Sequence, residues 1–518
     1  MELSTHILAI VSLIFFAALS ARHFTHMFQL NSYTAGVQLG WMKKNKIFSV
    51  PIFALPICAI VFAFVSARSY AYAYGLLALF ALLFSFFHFP KKAKKPLVYT
   101  ARVKRLLTTY GIITLLIMTL GILLSGSGEF IIISLAAALT PFTLLLANKV
   151  NSPLEKAIRN YYTNDAKKLL KSHSRLKIIG ITGSFGKTSV KYYLSTLLQT
   201  KYNVLMTPES YNTPMGVVKT IRSSLRATHD IFVCEMGAKY VGDIEELCDI
   251  VHPESGMVTS IGEQHLESFG SIENIIKTKY EMADGISEGG KLFINISSET
   301  VYKNRPRRAY ITYGLTPEAD YYATDVSVSS SGTAFTLVHG DERVEFRTKL
   351  IGESNVTNIV GAIAVSHEYG IEIPALKKAV ASLKCVPHRM ELLDRGNMII
   401  IDNAFNSNPA GARAALKTVS LFDAVKIIVT PGMIELGEKS DELNARLGAD
   451  ASAVCDYIVA VGERQAKPIV KGALDSGFAK EKIHVAKTFN DAMEFVRSID
   501  SNGAKKVVLL ENDLPDNF

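Results

Sequence analysis

Long apolar stretches crowd the first 150 residues, and beyond them the pattern changes to short apolar runs alternating with helical spacing. Five early stretches, about 7–21, 48–66, 71–89, 106–124 and 130–146, come close to the roughly 20 mostly apolar residues that carry a helix across a bilayer. They predict a membrane part over 1–150. Within 152–172, Leu154, Ile158, Tyr162, Ala166, Leu169 and Leu170 fall at helical spacing among lysines, which predicts a connecting helix over 151–174. Strand and helix patterns then alternate: strands near 176–181, 230–235, 256–261 and 291–294, with helices near 187–199, 243–250 and 272–285. Such alternation predicts an α/β fold, a mostly parallel sheet covered by helices. Residues 319–350 switch to short period-two runs, a small β insertion or edge sheet, before a helix over 356–369. Strand patterns resume near 398–402, 425–430, 457–461 and 507–510, predicting a second α/β domain over 386–518 after a first over 175–385.

Charge gives the membrane part an orientation. Arg22, Lys43, Lys44 and Lys46 follow the first stretch, and Lys91, Lys92, Lys94, Lys95, Arg102, Lys104 and Arg105 fill the gap between the third and fourth. The other gaps are nearly bare, so the positive-inside rule puts the N-terminus outside a multi-pass cell-membrane protein and its catalytic domains in the cytoplasm. The first stretch has no basic residue ahead of it, unlike a cleaved signal peptide. The basic loops either set topology alone or also hold anionic lipid or a polyanionic substrate at the membrane. The segment 28–41, with the single tryptophan, is a candidate for the membrane interface. No carboxylate or arginine sits mid-span, which argues against a transporter. The chain has 518 residues and a formal charge of +9, and no nucleic-acid partner is expected. Its five cysteines, Cys58, Cys234, Cys248, Cys385 and Cys455, lack the CxxC spacing of zinc or redox sites and read as reduced.

The most informative chemistry lies where an apolar strand enters Thr182-Gly183-Ser184-Phe185-Gly186-Lys187-Thr188-Ser189. Glycines that let the backbone approach phosphates, a lysine that reaches them and a threonine that can ligate magnesium form an ATP cradle in the short T-G-x-x-G-K-T form. Glu235 ends the apolar run Ile231-Phe232-Val233-Cys234, where a carboxylate can hold magnesium beside such a cradle.

With the segments that follow, this loop resembles the Mur ligase family, most closely its MurF type. The resemblance covers roughly residues 175–512 and excludes the first 150. It implies a P-loop Mur ligase central domain and a Rossmann-like C-terminal ligase domain, joined here to a bundle of about five transmembrane helices. It makes Glu235 a magnesium ligand and His265, in His265-Leu266-Glu267-Ser268-Phe269-Gly270, the ligand of a second magnesium. Lys279 matches a lysine that is carbamylated in related ligases, where it helps bind magnesium; Lys277 is the nearby alternative, and either also fits a solvated helix face. Thr207 and Asn212 resemble the substrate-side loop. Asn355 and Asn358 resemble an adenine-binding G-x-H-N-x-x-N, with Ser354 in the histidine position. Arg389, in a segment like G-R-x-E, and Asp402 are implied nucleotide contacts, and Asn406 and Asn408, in a segment like D-D-x-Y-N-x-N-P, are implied cleft contacts. Pro431 and Gly432 stand where the family's G-D-M-x-E-L-G has glycine and aspartate, and Glu511-Asn512-Asp513 replaces K-G-S, both on the face expected to meet the amine.

The implied activity is amide ligation on a cell-envelope precursor, with ATP and Mg2+. A carboxylate acceptor takes the γ-phosphate as an acyl phosphate, and an amino acid or dipeptide displaces phosphate. Such chemistry rests on positioning and charge neutralisation and requires no nucleophile on the enzyme. The alternatives are a membrane-bound γ-polyglutamate-type synthase and a non-catalytic ligase-fold scaffold.

Overall fold

In the computed structural model, residues 2–45, 57, 61, 76, 78, 79, 81, 95–123, 129–329, 331–405, 407–501 and 503–513 are described. The chain divides into two compact units, one over residues 1–161 and one over 162–514.

In the first unit, helices run Glu2–Leu30, Ala35–Lys44, Ala101–Leu123 and Glu129–Ala138, and a further helix, Thr140–Ser172, leads into the second unit. Among the described residues two helical stretches, Ile7–Leu30 and Ala101–Leu120, are long and apolar enough to cross a membrane. The expected spans 48–66 and 71–89 lie outside the described residues, so a five-helix bundle is not established. The expected fifth span is two helices bent by 67°. Pro141 accounts for the break, because it has no N–H to continue the preceding ladder yet suits a first helical turn. The connecting helix, expected to begin at 151, therefore begins at Thr140. The segment 28–41 runs from the end of the helix Glu2–Leu30 through a turn into the helix Ala35–Lys44.

The second unit holds two sheets. The strands of the first are β1 (Lys177–Thr182), β2 (Val204–Met206), β3 (Ile231–Glu235), β4 (Ser255–Val258), β5 (Leu292–Asn295), β6 (Ile311–Gly314), β7 (Tyr321–Ser329), β8 (Gly332–His339) and β9 (Glu342–Thr348), in the order β2-β3-β1-β4-β5-β6-β7-β8-β9. Pairings from β2 through β7 are parallel, and β7, β8 and β9 pair antiparallel. The residues expected as a β insertion thus extend the edge of the same sheet. Strands β3, β4 and β5 are buried at every position, as befits a parallel sheet covered on both faces. Burying a side chain such as Ile179 or Val233 fully contributes about 1.5–3 kcal/mol.

The second sheet comprises β10 (Glu391–Asp394), β11 (Met398–Asn403), β12 (Val425–Thr430), β13 (Tyr457–Val461), β14 (Ile483–Ala486) and β15 (Lys506–Glu511), in the order β10-β11-β15-β12-β13-β14. Only β10 pairs antiparallel. Parallel β3, β1 and β4 lie side by side, so their C-terminal ends share one edge, the place where α/β folds bind ligands.

Candidate functional site

The glycine-rich turn is held in shape before any ligand arrives. Gly183 and Gly186 have φ of 145° and 85°, where side chains are rarely tolerated, and a Cβ on Gly183 would lie 2.2 Å from Thr259 Oγ1. Ser184 N–H donates to Ser260 O (2.6 Å) and Phe185 N–H to Ser260 Oγ (3.2 Å), tying the turn to the segment after β4. The helix Lys187–Leu198 then starts at Gly186 with no side-chain cap. Its first-turn N–H groups and positive dipole end are left for an anion. Lys187 folds back, its Nζ donating to Gly183 O (2.7 Å) and Ser184 O (3.1 Å). Burial lowers its pKa to about 8 against the opposing pull of Glu235. Such a desolvated ammonium gains from a bound phosphate. Thr182 and Ser184 spend their hydroxyls on Met236 O and Gly262 O, so they can offer a ligand only backbone groups.

Four side chains, two from the helix Lys187–Leu198 and two from the segment after β2, converge on Glu235 at the end of β3. Its Oε1 accepts from Thr188 Oγ1 (3.1 Å) and Asn212 Nδ2 (2.9 Å), and its backbone N–H donates to Thr207 Oγ1 (3.1 Å). Thr207 is fully buried, so the structure makes it a support for Glu235 and not a group open to substrate. Lys191 Nζ lies 3.0 Å from Oε2, off the hydrogen-bonding direction, and Oε2 makes no hydrogen bond. Burial opposes charge on Glu235, but the charges of Lys191 and Lys187, with the bond from Asn212, outweigh it and hold its pKa below the usual glutamate value.

His265 lies beyond β4 with a left-handed backbone, and its Nδ1 is bonded to the Glu435 carboxylate of the second-sheet half. Lys239 Nζ reaches the other Glu435 oxygen at 3.0 Å. Lys279 and Lys277 separate clearly: Lys279 is buried and Lys277 exposed. Burial first, then Lys187, lowers the Lys279 pKa well below the ordinary value, and its Nζ lies 5.8 Å from the centre of the Phe269 ring.

Next to the turn, a cavity of about 720 Å³ is lined by Gly186, Ser189, Asn358, Arg389, Asn403 and Asn408, among others. Its size suits a small ligand such as a nucleoside. Lys187, Thr188 and Glu235 are not in its lining, so it occupies the side of the turn away from the carboxylate. Asn355 lines it too, but its amide is spent on Tyr193 (2.8 Å) and Ile351 O (2.9 Å), leaving Asn358 as the asparagine free to read a base. Asn408 uses Oδ1 to cap the helix Pro409–Val419 through Gly411 N–H (2.9 Å). Arg389 stacks 4.1 Å over Phe405. Asp402 is bonded to His388 Nδ1 (2.8 Å) and is not among the residues lining this cavity. Asn406 lies outside the described residues.

Comparison with known proteins agrees with this arrangement. The Mur ligase middle domain matches residues 181–366, and the Mur ligase glutamate ligase domain matches residues 388–511. This chain belongs to the Mur ligase family. The UDP-N-acetylmuramoyl-tripeptide--D-alanyl-D-alanine ligase of Bacillus subtilis is 32% identical over 339 residues, 64% of this chain and 72% of that protein. The enzyme of the same name from Escherichia coli is 31% identical over 56% of this chain and 65% of its own length, so the chain spans just under two thirds of that relative. The MurF ligase of Thermotoga maritima, solved in complex with ADP, superposes with a TM-score of 0.62 at 25% identity, over 68% of this chain and 80% of its own. Mur ligases are ATP-dependent carbon–nitrogen ligases that use Mg2+.

The residues of this Mur ligase fit magnesium. Thr188 and Glu235 present hard oxygen donors to each other at 3.1 Å, and Oε2 of the buried carboxylate lacks a hydrogen bond. Among the described residues no three His, Cys, Asp or Glu side chains form a ready metal cage. Magnesium bound by one carboxylate together with substrate phosphates needs none. Two residues escaped the sequence reading, Lys191 and Glu435. Lys191 lies four residues after Lys187 and so shares its helix face, a spacing that could have flagged it. Glu435 is the glutamate of the segment like G-D-M-x-E-L-G, but local spacing could not show its partner, which lies 170 residues away.

Proposed function

We propose that this Mur ligase is a membrane-anchored, ATP-dependent acid–amino-acid ligase acting on a peptidoglycan-type precursor, as a MurF-type enzyme does. The carrying observation is the convergence of Thr188, Asn212 and Lys191 on Glu235 beside the uncapped helix start at Gly186. Its names for the B. subtilis and E. coli relatives suggest a UDP-muramoyl peptide as acid and D-alanyl-D-alanine as amine. Membrane anchoring is favoured by outward-facing Leu115, Leu116 and Leu123, each more than 60% exposed on one apolar helix, which water would not favour and lipid would.

In this reading the uncapped N–H groups and Lys187 bind the phosphates of ATP, and Asn358 and Arg389 line the nucleoside side. Thr188 and Glu235 would hold magnesium, with His265 a candidate for a second ion through Nε2. The metal would neutralise charge as the acceptor carboxylate takes the γ-phosphate. Lys187 stabilises charge on the transferring group, and Asn212 fixes Glu235. The second-sheet half, joined through His265–Glu435, closes over the acyl phosphate and keeps water out while the amine attacks.

The test is ATP hydrolysis by membranes containing the full chain, screened against candidate acids and amines, with mass spectrometry of the products. An ATP-dependent amide joining a muramoyl peptide to a D-alanyl dipeptide supports the proposal. A glutamyl polymer would favour the γ-polyglutamate-type synthase, and absence of turnover with every pair would favour a scaffold.

A further inference from the structure

Lys191 has no part in the chemistry outlined above, yet it is the most deeply buried ammonium beside the carboxylate, with a side-chain exposure of 0%. An amine so placed is retained only where specific groups compensate its charge. It has two such partners. One is Glu235 Oε2 at 3.0 Å, and the other is the backbone carbonyl of Glu209, to which Nζ donates. Glu209 belongs to the exposed turn between β2 and the helix Pro214–Ser224, and it has a left-handed φ of 43°. Three residues on, Asn212 returns from the same turn to Oε1 of the same carboxylate. The turn is thus fastened at two points, directly by Asn212 and through Lys191, to a single carboxylate.

We infer that Lys191 is a positioning residue that couples the magnesium ligand Glu235 to the turn 207–213, so that metal binding and the seating of that turn depend on one another. This rests on the nucleotide–magnesium reading of the site. Lys191 keeps the Glu235 carboxylate aimed towards Thr188 and holds the Glu209 carbonyl inward. When Glu235 turns Oε2 to a metal, the ammonium keeps the Glu209 carbonyl, and the turn stays seated.

The experiment uses the full chain in detergent, as wild type, Lys191→Met, Lys191→Gln and Lys187→Ala. A fluorescent ADP analogue is titrated at increasing MgCl2, and chymotrypsin cleavage after Tyr211 is followed in parallel. Both Lys191 variants are expected to bind the analogue without magnesium within about twofold of wild type. They should need roughly tenfold more magnesium for the metal-dependent gain, and their turn should be cut severalfold faster with or without nucleotide. Lys187→Ala should lose nucleotide at every magnesium concentration while its turn is cut at the wild-type rate. Equal weakening with and without magnesium would make Lys191 a phosphate contact and overturn the inference, as would an unchanged magnesium requirement in folded variants. Wild-type binding indifferent to magnesium would overturn both the inference and the reading beneath it, which separates the two failures.

Discussion

His265 and Glu435 meet side chain to side chain, joining the segment after β4 to the loop after β12. Burial lowers the His265 pKa more than Glu435 raises it, so near neutral pH the imidazole is uncharged, donates Nδ1–H and keeps Nε2 as an acceptor. Glu435 moves the other way for a charged pair: burial raises it, but His265 and Lys239 prevail and bring it to about 2. The neutral form is preferred here because one hydrogen bond from a neutral imidazole already accounts for the contact, and Lys239 supplies the cation.

Both shifts make stability fall on acidification. A histidine with a lowered pKa is protonated first in the unfolded chain, so its contribution is lost as pH drops through about 6.5, and that of Glu435 is lost between about 4.5 and about 2. In a Glu511→Gln background, which removes the opposing titration of that buried carboxyl, thermal unfolding of the full chain in detergent should show a midpoint falling from pH 7.5 to pH 5. Glu435→Ala should cost about 1–3 kcal/mol at neutral pH, the scale of leaving a buried partner unsatisfied. A midpoint indifferent to this substitution would remove the pair as a tie between the two halves.

Lys187→Ala is expected to lower ATP turnover by roughly 100-fold or more, the scale of removing one preorganised donor at a developing charge. Membrane insertion should be unaffected, since the residue opens the helix Lys187–Leu198, outside the apolar stretches of the first 150 residues. Near-normal turnover, measured as phosphate release, would dismantle the nucleotide assignment.

Lys279 and Lys277 should behave differently. The buried Lys279 has a depressed pKa and thus an amine free to add carbon dioxide, whereas Lys277 is exposed. Lys279→Ala should cut ligation strongly and be partly restored by acetate, and Lys277→Ala should do little. Wild-type protein in 13C-bicarbonate should give a carbamate carbon signal that Lys279→Ala lacks. Equal small losses in both variants, with no acetate response, would leave the metal site to Thr188, Glu235 and His265.

Glu511 is fully buried and bonded by Ser407 and by Asn403 (2.8 Å), and burial raises its pKa to about 7. A raised carboxyl pKa means that the folded chain holds a proton the unfolded chain releases, so stability declines as pH rises from about 4.5 to about 7. Glu511→Gln should flatten that decline and stabilise the chain at pH 8 by up to about 3 kcal/mol, at about 1.4 kcal/mol per pKa unit. Unfolding midpoints of both forms across pH 5–8 test it, and parallel curves would count against a buried charge.

A reporter fused after Phe518 or placed near Lys95 should register cytoplasm, and one at Ser127 the outside. A cytoplasmic N-terminus would instead mean an even number of spans.

Local pattern determined much of this protein. Helical or strand spacing marked β1, β3, β12 and β13 within a residue or so, because each is a continuous apolar run buried on both faces. The order Gly-Lys-Thr at the end of such a strand fixed the phosphate cradle, since the donors that make it are neighbours in the chain. Strands β2, β6, β10 and β14 went unmarked, because each is only three or four residues long and carries at least one partly exposed position, unlike the equally short but wholly buried β4 and β5. Tertiary structure alone decided what each polar group spends its bonds on. It turned Thr207 and Asn355 inward, left Asn358 open, buried Lys279 but not Lys277, and brought Lys191 and Glu435 to residues 44 and 170 positions away. The first pairing arises because β1, whose following helix carries Lys191, lies beside β3, which ends in Glu235, and the second because the loop after β12 of the second sheet meets the segment after β4 of the first, juxtapositions that local spacing does not encode.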